Sequence, residues 1–160
     1  MVKYKSYYTQ IFIMNDIKYK THTDILKDFL EIFDKNGIVW CVGSSTSLFL
    51  QGVDIFPKDI DLIIDSIQIE NTFKLLVENG YELLKKSEDF NGNSIIKGSI
   101  NKYEIPVEIV GFELFKDDLI KLDINDLKIP VYPLEIELEF YKQRKGKEKV
   151  VELINQKLTK

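Results

Sequence analysis

The sequence predicts one mixed α and β domain (α+β, with an α/β-like first half), a mixed β-sheet flanked by helices. Three observations predict it. Apolar residues recur at helical spacing from Thr23 to Asn36, a strand, small-residue turn and helix follow from Ile38 to Gln51, and β-prone segments then succeed one another as far as Val110. Strands therefore alternate with helices first and pair antiparallel afterwards.

Each element has a local reason. Tyr8 to Met14 and Ile17 to Lys20 flank the turn-prone Asn15-Asp16, which reads as a short hairpin. In the helix from Thr23 to Asn36, residues Ile25, Leu26, Phe29, Leu30, Ile32 and Phe33 form the apolar stripe, with Thr23 as cap and Gly37 as terminator. Ile38 to Val42 is a buried strand, and Thr46 to Gln51 is a short helix opening after Gly43-Ser44-Ser45. A loop with Pro57, a strand from Asp59 to Ile64 and a helix from Glu70 to Asn79 come next. Tyr81 to Lys86, Ser94 to Ile100 and Ile105 to Val110 are strands, the last two joined around Asn101-Lys102. Pro133 can start a helix, so Leu134 to Tyr141 and Glu148 to Leu158 are two closing helices interrupted near Gly146. The expected organisation is an extension over 1–22, a core over 23–132 and closing helices over 133–160.

Composition narrows the function classes. With 160 residues, 44% of them hydrophobic and 12% aromatic, the chain can bury one substantial core. Its net charge of −4 comes from 22 basic and 26 acidic residues that are well interspersed, so no extended nucleic-acid surface is expected and a phosphate ligand must be held locally. The lone cysteine, Cys41, lies between Trp40 and Val42 and reads as a small buried hydrophobe in a reducing compartment. The one histidine, His22, has no histidine or cysteine at metal-ligand spacing. The first 20 residues have no continuous apolar core, and no apolar stretch is long enough to span a bilayer, so a soluble cytoplasmic protein without membrane partners is expected.

The chemistry-bearing residues lie in three segments. Asp59 and Asp61 are two residues apart in a β-prone run, which places both on one face of a strand, roughly 6–7 Å apart along the chain. Like charges so placed repel unless a cation sits between them, and a hard divalent ion with oxygen ligands suits the pair. Alternation alone would equally put them on the solvent face of an edge strand. Upstream, Gly43-Ser44 follows a buried strand and opens a helix, where backbone N–H groups favour a phosphate, although an ordinary strand-to-helix turn has the same look. Glu108 is the odd charge in the apolar run Pro106-Val107-Glu108-Ile109-Val110, and a charge there needs a partner.

Val42-Gly43-Ser44, then Leu48, Gly52 and Lys58-Asp59-Ile60-Asp61-Leu62, with the later Glu108 strand, resemble the signature of the nucleotidyltransferase (polymerase β-like) superfamily. The closing helices resemble those of small bacterial members related to aminoglycoside and lincosamide adenylyltransferases and to toxin–antitoxin nucleotidyltransferases. The resemblance spans most of 23–155 and implies the nucleotidyltransferase fold. It further implies a nucleoside triphosphate, with ATP the expected one, cradled by Gly43, Ser44 and Lys142, and Mg2+ or Mn2+ held by Asp59, Asp61 and Glu108, with Glu108 also helping to activate an acceptor hydroxyl. Glu108 stands where that family frequently has an aspartate. The activity implied is transfer of a nucleoside monophosphate to a hydroxyl of a small molecule or a protein, and two metals a short distance apart would suit that chemistry. An antitoxin-type partner of a toxin protein and a nucleotide-binding pseudoenzyme are the alternatives. An exposed apolar patch on the closing helices would favour the first. Lys142, Arg144, Lys147 and Lys149 also read as a solvated helix end, and Trp40, Phe49, Phe112 and Phe115 as core aromatics.

Overall fold

In the computed structural model of the chain, residues 21–90 and 92–160 are described. The expected N-terminal hairpin lies outside the described residues. Seven strands form one sheet: β1 (Trp40–Gly43), β2 (Ile60–Asp65), β3 (Leu84–Phe90), β4 (Asn93–Ile100), β5 (Val107–Phe112), β6 (Ile120–Ile124) and β7 (Leu127–Val131). Their order is β3-β4-β5-β2-β1-β7-β6. The β2–β5 and β1–β7 pairs are parallel and the others antiparallel, so the sheet is mixed. Both strands expected to matter most, β2 and β5, sit side by side in its middle.

Two faces with different duties follow from the period of two along each strand. One carries Trp40, Val42, Ile60, Leu62, Ile64, Val107, Ile109 and Ile100, all buried. Helix α1 (21–35) packs Ile25, Leu26, Phe29 and Phe33 against it, and α3 (Ile69–Glu78) adds Ile69, Phe73 and Leu76. Burial of that many apolar side chains, at about 1.5–3 kcal/mol each, makes this face the main core. Gly98 and Gly111 belong to it, because a Cβ at Gly98 would lie 2.8 Å from the Phe73 ring and one at Gly111 3.1 Å from Ile69. The opposite face is covered at one end by α2 (Ser44–Leu50), α4 (Leu134–Lys142) and α5 (Glu148–Leu158), which share a second cluster of Leu48, Val53, Leu134, Leu138, Tyr141 and Ile154.

Several boundaries differ from those expected, each for a physical reason. Thr23 is not the cap of α1, since the helix is already running at residue 21; the buried Thr23 hydroxyl instead accepts a hydrogen bond from Asn125 at 3.3 Å. The strand expected from Tyr81 starts at Leu84, because Tyr81 is committed to the end of α3: its N–H donates to Leu76 O at 3.1 Å and that of Gly80 to Val77 O at 3.0 Å. With Gly80 at φ +89°, this is a Schellman closure, and Gly37 at φ +66° ends α1 the same way through Ile38 N–H to Phe33 O. The β6–β7 hairpin was not expected at all. Ile124 pairs with Leu127 across the two-residue turn Asn125-Asp126, whose φ values are +48° and +65°. Among the described residues no helix is long and apolar enough to cross a membrane.

Two consecutive positive φ values are those of a type I′ turn, which favours glycine at its second position. Asp126→Gly is expected to raise the urea midpoint by an equivalent of ~1 kcal/mol with an unchanged m-value; a lowered midpoint would mean that the turn is not strained.

Candidate active site

Strand β2 alternates buried Ile60, Leu62 and Ile64 with half-buried Asp61, Ile63 and Asp65. It is a central strand, so Asp61 is not the solvent-facing charge of an edge. Asp61 pairs with Gly43 of β1 on one side and with Glu108 of β5 on the other. Side chains directly opposite in adjacent strands share a face about 5 Å apart, which brings the Asp61 and Glu108 carboxylates together beside the turn into α2. Asp59 stands just before β2, where its backbone carbonyl accepts a hydrogen bond from the Thr46 hydroxyl of α2 at 2.8 Å.

The turn itself has an unusual build. A Cβ at Gly43 would fall 2.4 Å from Cδ1 of Ile63, so a larger residue there would force the Ile63 side chain to move. Ser44 follows at φ +52°, a left-handed conformation for a residue with a side chain. That conformation costs of order 1–3 kcal/mol and needs the surroundings to impose it. Its hydroxyl donates to the Asp61 carboxylate. The strained residue thus supports the central acid.

Burial first, then the charge of Asp59, pushes the Asp61 carboxyl up to about 6; the Ser44 hydrogen bond opposes the rise, Glu108 adds to it, and Lys97 offsets part of it. One oxygen of Glu108, Oε2, is buried and takes no hydrogen bond among the described residues. The nearest cation to it is the Lys97 ammonium of β4 at 3.5 Å, which also pairs with Glu88 of β3 at 2.9 Å. A carboxyl held above its usual range opposite a second carboxylate is the mark of a site that accepts a cation. As the side chains stand, however, no group of three His, Cys, Asp or Glu among the described residues is arranged to hold one metal ion.

Beyond Asp61 the sheet face opens into a cavity of about 400 Å3. Its walls are largely apolar, with Phe90, Phe112, Phe115 and Phe140 among them, and its polar groups include Ser44, Asp61, Lys97, Glu137 and Arg144. Phe112 and Phe115, expected as core, therefore line the cavity, whereas Trp40 is buried in the core with its indole N–H donating to Asp34 at 3.1 Å. Cys41 is fully buried, and burial raises its thiol well above the ordinary value, with the Glu137 charge adding to the effect. Lys142 does not line the cavity; it lies exposed on α4, paired with Glu139 at 3.2 Å. The cation that this segment brings to the cavity is Arg144, which stacks over Tyr141 at 5.3 Å and Phe90 at 5.7 Å.

Glu137, Arg144 and Lys97 were not anticipated as site residues. For Glu137 a signal existed: Leu134, Glu137, Leu138 and Tyr141 recur at helical spacing, so a carboxylate occupies the buried stripe of α4. It is 4% exposed and accepts a hydrogen bond from Ser47 at 3.1 Å. Burial pushes its carboxyl up to about 7, against the Ser47 bond and the Arg144 charge, which lower it.

A carboxyl raised on folding favours the folded state while both states are protonated, below pH ~4.5, and the advantage is lost as pH rises through about 7. Glu137→Gln should therefore match the wild type in urea unfolding at pH 4 and exceed it by about 2–3 kcal/mol at pH 8.5. A difference independent of pH would show that Glu137 is not held protonated by burial.

No family model and no curated protein matches the sequence. Solved structures do resemble it. The lincosamide antibiotic adenylyltransferase LnuA, determined with lincomycin bound, superposes with a TM-score of 0.57 at 14% identity over 81% of this chain and 94% of that one. A provisionally assigned nucleotidyltransferase from Thermotoga maritima gives a TM-score of 0.59 at 24% identity, over 86% and 94%. The antibiotic-resistance factor ANT(2'')-Ia gives 0.60 at 11%, over 88% and 84%. Identities this low speak for architecture, and the mixed sheet carrying Gly43-Ser44, Asp61 and Glu108 side by side on one face has the nucleotidyltransferase fold.

Proposed function

We propose that the chain is a Mg2+-dependent nucleotidyltransferase that moves a nucleoside monophosphate, with AMP the leading candidate, from a nucleoside triphosphate to a hydroxyl of a small molecule. The observation that carries this reading is the register: Asp61 lies opposite Glu108 on one side and Gly43 on the other, so two acids and the glycine-serine turn meet on the central strands. The named activity of LnuA, adenylyl transfer, supports AMP as the group moved.

In this reaction the acceptor oxygen attacks the α-phosphorus, the bond to pyrophosphate breaks, and the hydroxyl proton passes to a base. Glu108 suits that last role, because it is a carboxylate directly opposite Asp61 and is steadied by the Lys97 ammonium. Gly43 and Ser44 form the turn that opens α2, where a phosphate would meet backbone N–H groups, and the Ser44 side chain favours the ionised form of Asp61. Asp59 and Asp61 would hold a magnesium or manganese ion, whose contribution when bound is to neutralise triphosphate oxygens. Arg144 stands at the cavity wall as the cation available to a phosphate or an acceptor, the role that Lys142 is turned away from. The largely apolar cavity suits a small-molecule acceptor with Glu137 as its polar anchor. The antitoxin alternative gains no matching surface: on α4 and α5 the large apolar side chains left exposed are Phe140 and Leu158, single residues of separate helices.

ATP with Mg2+ should raise the melting temperature, by an equivalent of about 2.7 kcal/mol at a ligand concentration one hundred times Kd. Asp61→Asn should abolish that shift, and equal shifts in both proteins would rule out the metal site. With labelled ATP and a panel of hydroxylated acceptors, Glu108→Gln should bind nucleotide as the wild type does yet transfer ~10²–10⁴-fold more slowly. Binding without transfer to any acceptor in the wild type would favour the pseudoenzyme.

A further inference from the structure

On the open face of the sheet the charges alternate from the edge strand inward. Lys86 and Glu88 of β3 pair at 3.0 Å, Glu88 and Lys97 of β4 at 2.9 Å, and Lys97 and Glu108 of β5 at 3.5 Å, after which Asp61 of β2 stands opposite Glu108. The registers explain the row. Ser99 is directly opposite Glu108 and Ile95 directly opposite Glu88, so Lys97 lies diagonal to both acids and is held between them. Its side chain is 23% exposed, the same as that of Glu108.

We propose that the Lys97 ammonium occupies the position beside Glu108 that a second divalent ion would otherwise take, so that the site works with one divalent ion, on Asp59 and Asp61, and one built-in cation. This rests on the function proposed above and refines its metal count. Three observations support it. A positive charge already sits beside the third carboxylate, and Glu88 anchors it from the far side. Among the described residues no three acidic or histidine side chains are arranged around a common ion. Asp61, directly opposite Glu108, lines the same cavity as Lys97, so the ammonium stands on the same side of the sheet as the central carboxylate. A divalent ion brought against Glu108 would meet the ammonium at a few ångströms, where the repulsion of like charges opposes binding. Lys97 is then a positioning residue: its ammonium meets Oε2 of Glu108 at 3.5 Å and fixes that carboxylate opposite Asp61.

The test counts ions. Mn2+ is titrated into the full chain saturated with a nonhydrolysable ATP analogue, with free Mn2+ followed by electron paramagnetic resonance and the ions held by the nucleotide alone subtracted in a protein-free titration. The expected result is one protein-bound ion in the wild type and in Lys97→Arg, and two in Lys97→Met, the second giving the broadened spectrum of two coupled manganese ions. Two ions in the wild type, or one in Lys97→Met, overturn the proposal. No protein-bound ion in any variant overturns the underlying function as well, which separates the two failures. Lys97→Gln provides the same readout if the methionine variant does not fold, and circular dichroism melts show which variants are folded.

Discussion

The repulsion between carboxylates gathered on one face of the central strands is the constraint on which the rest of the molecule depends. Two like charges about 5 Å apart in a partly buried setting would repel by roughly 3 kcal/mol, and Asp61, directly opposite Glu108 in the register, feels the charges of both Glu108 and Asp59. The fold tolerates this because the reverse face of the same strands is a continuous apolar core against α1 and α3, which fixes the backbone whatever the open face does. It moderates the repulsion with local devices: the Ser44 hydroxyl on Asp61 and the Lys97 ammonium beside Glu108. What these do not cancel remains as affinity for a cation.

Ser44 shows how the two faces are linked. Its left-handed backbone follows directly on Gly43, whose missing side chain leaves space for Ile63 of β2. The strand pairing therefore dictates the turn, and the turn dictates where the hydroxyl points. A serine held in this way is pre-organised, so no ordering cost falls on the moment of ligand binding. The strain is stable only because Thr46 ties α2 to Asp59 and the buried Leu48 ties it to the second cluster under α4 and α5.

Much of this was legible in the sequence, and the remainder was hidden for identifiable reasons. The alternation around Asp61, the acid within an apolar run at Glu108 and the glycine-serine turn depend on local periodicity, and local periodicity survives into the fold. Strand order does not, so nothing in the sequence said that Lys97 of β4 would stand diagonal to Glu108. The β6–β7 hairpin escaped notice because Lys121, Asp123 and Lys128 make its strands resemble a charged loop, and Pro130 argues against a strand. Arg144 was read as part of a basic helix end, where Lys142 indeed is; only the turn of the chain after α4 separates the cation at the cavity from the one in solvent. The burial of Glu137 could have been read from its place in the apolar stripe, but its meaning needed the cavity.

Asp61 and Glu137 both have raised carboxyls in one cavity, yet the causes differ and so do the consequences. For Asp61, neighbouring negative charge joins burial, and a bound cation reverses that part, returning the group to its ionised form as a ligand. No neighbouring carboxylate contributes to the rise at Glu137, where burial acts against one hydroxyl and one guanidinium. A cation held on Asp59 and Asp61 therefore leaves Glu137 near its midpoint at neutral pH, able to donate a hydrogen bond when protonated as well as accept one when ionised. One environment has separated two chemically similar groups: Asp61 is raised by burial together with neighbouring carboxylates, Glu137 by burial alone, so on the proposed reading a cation would return the first to its ionised form and leave the second unchanged.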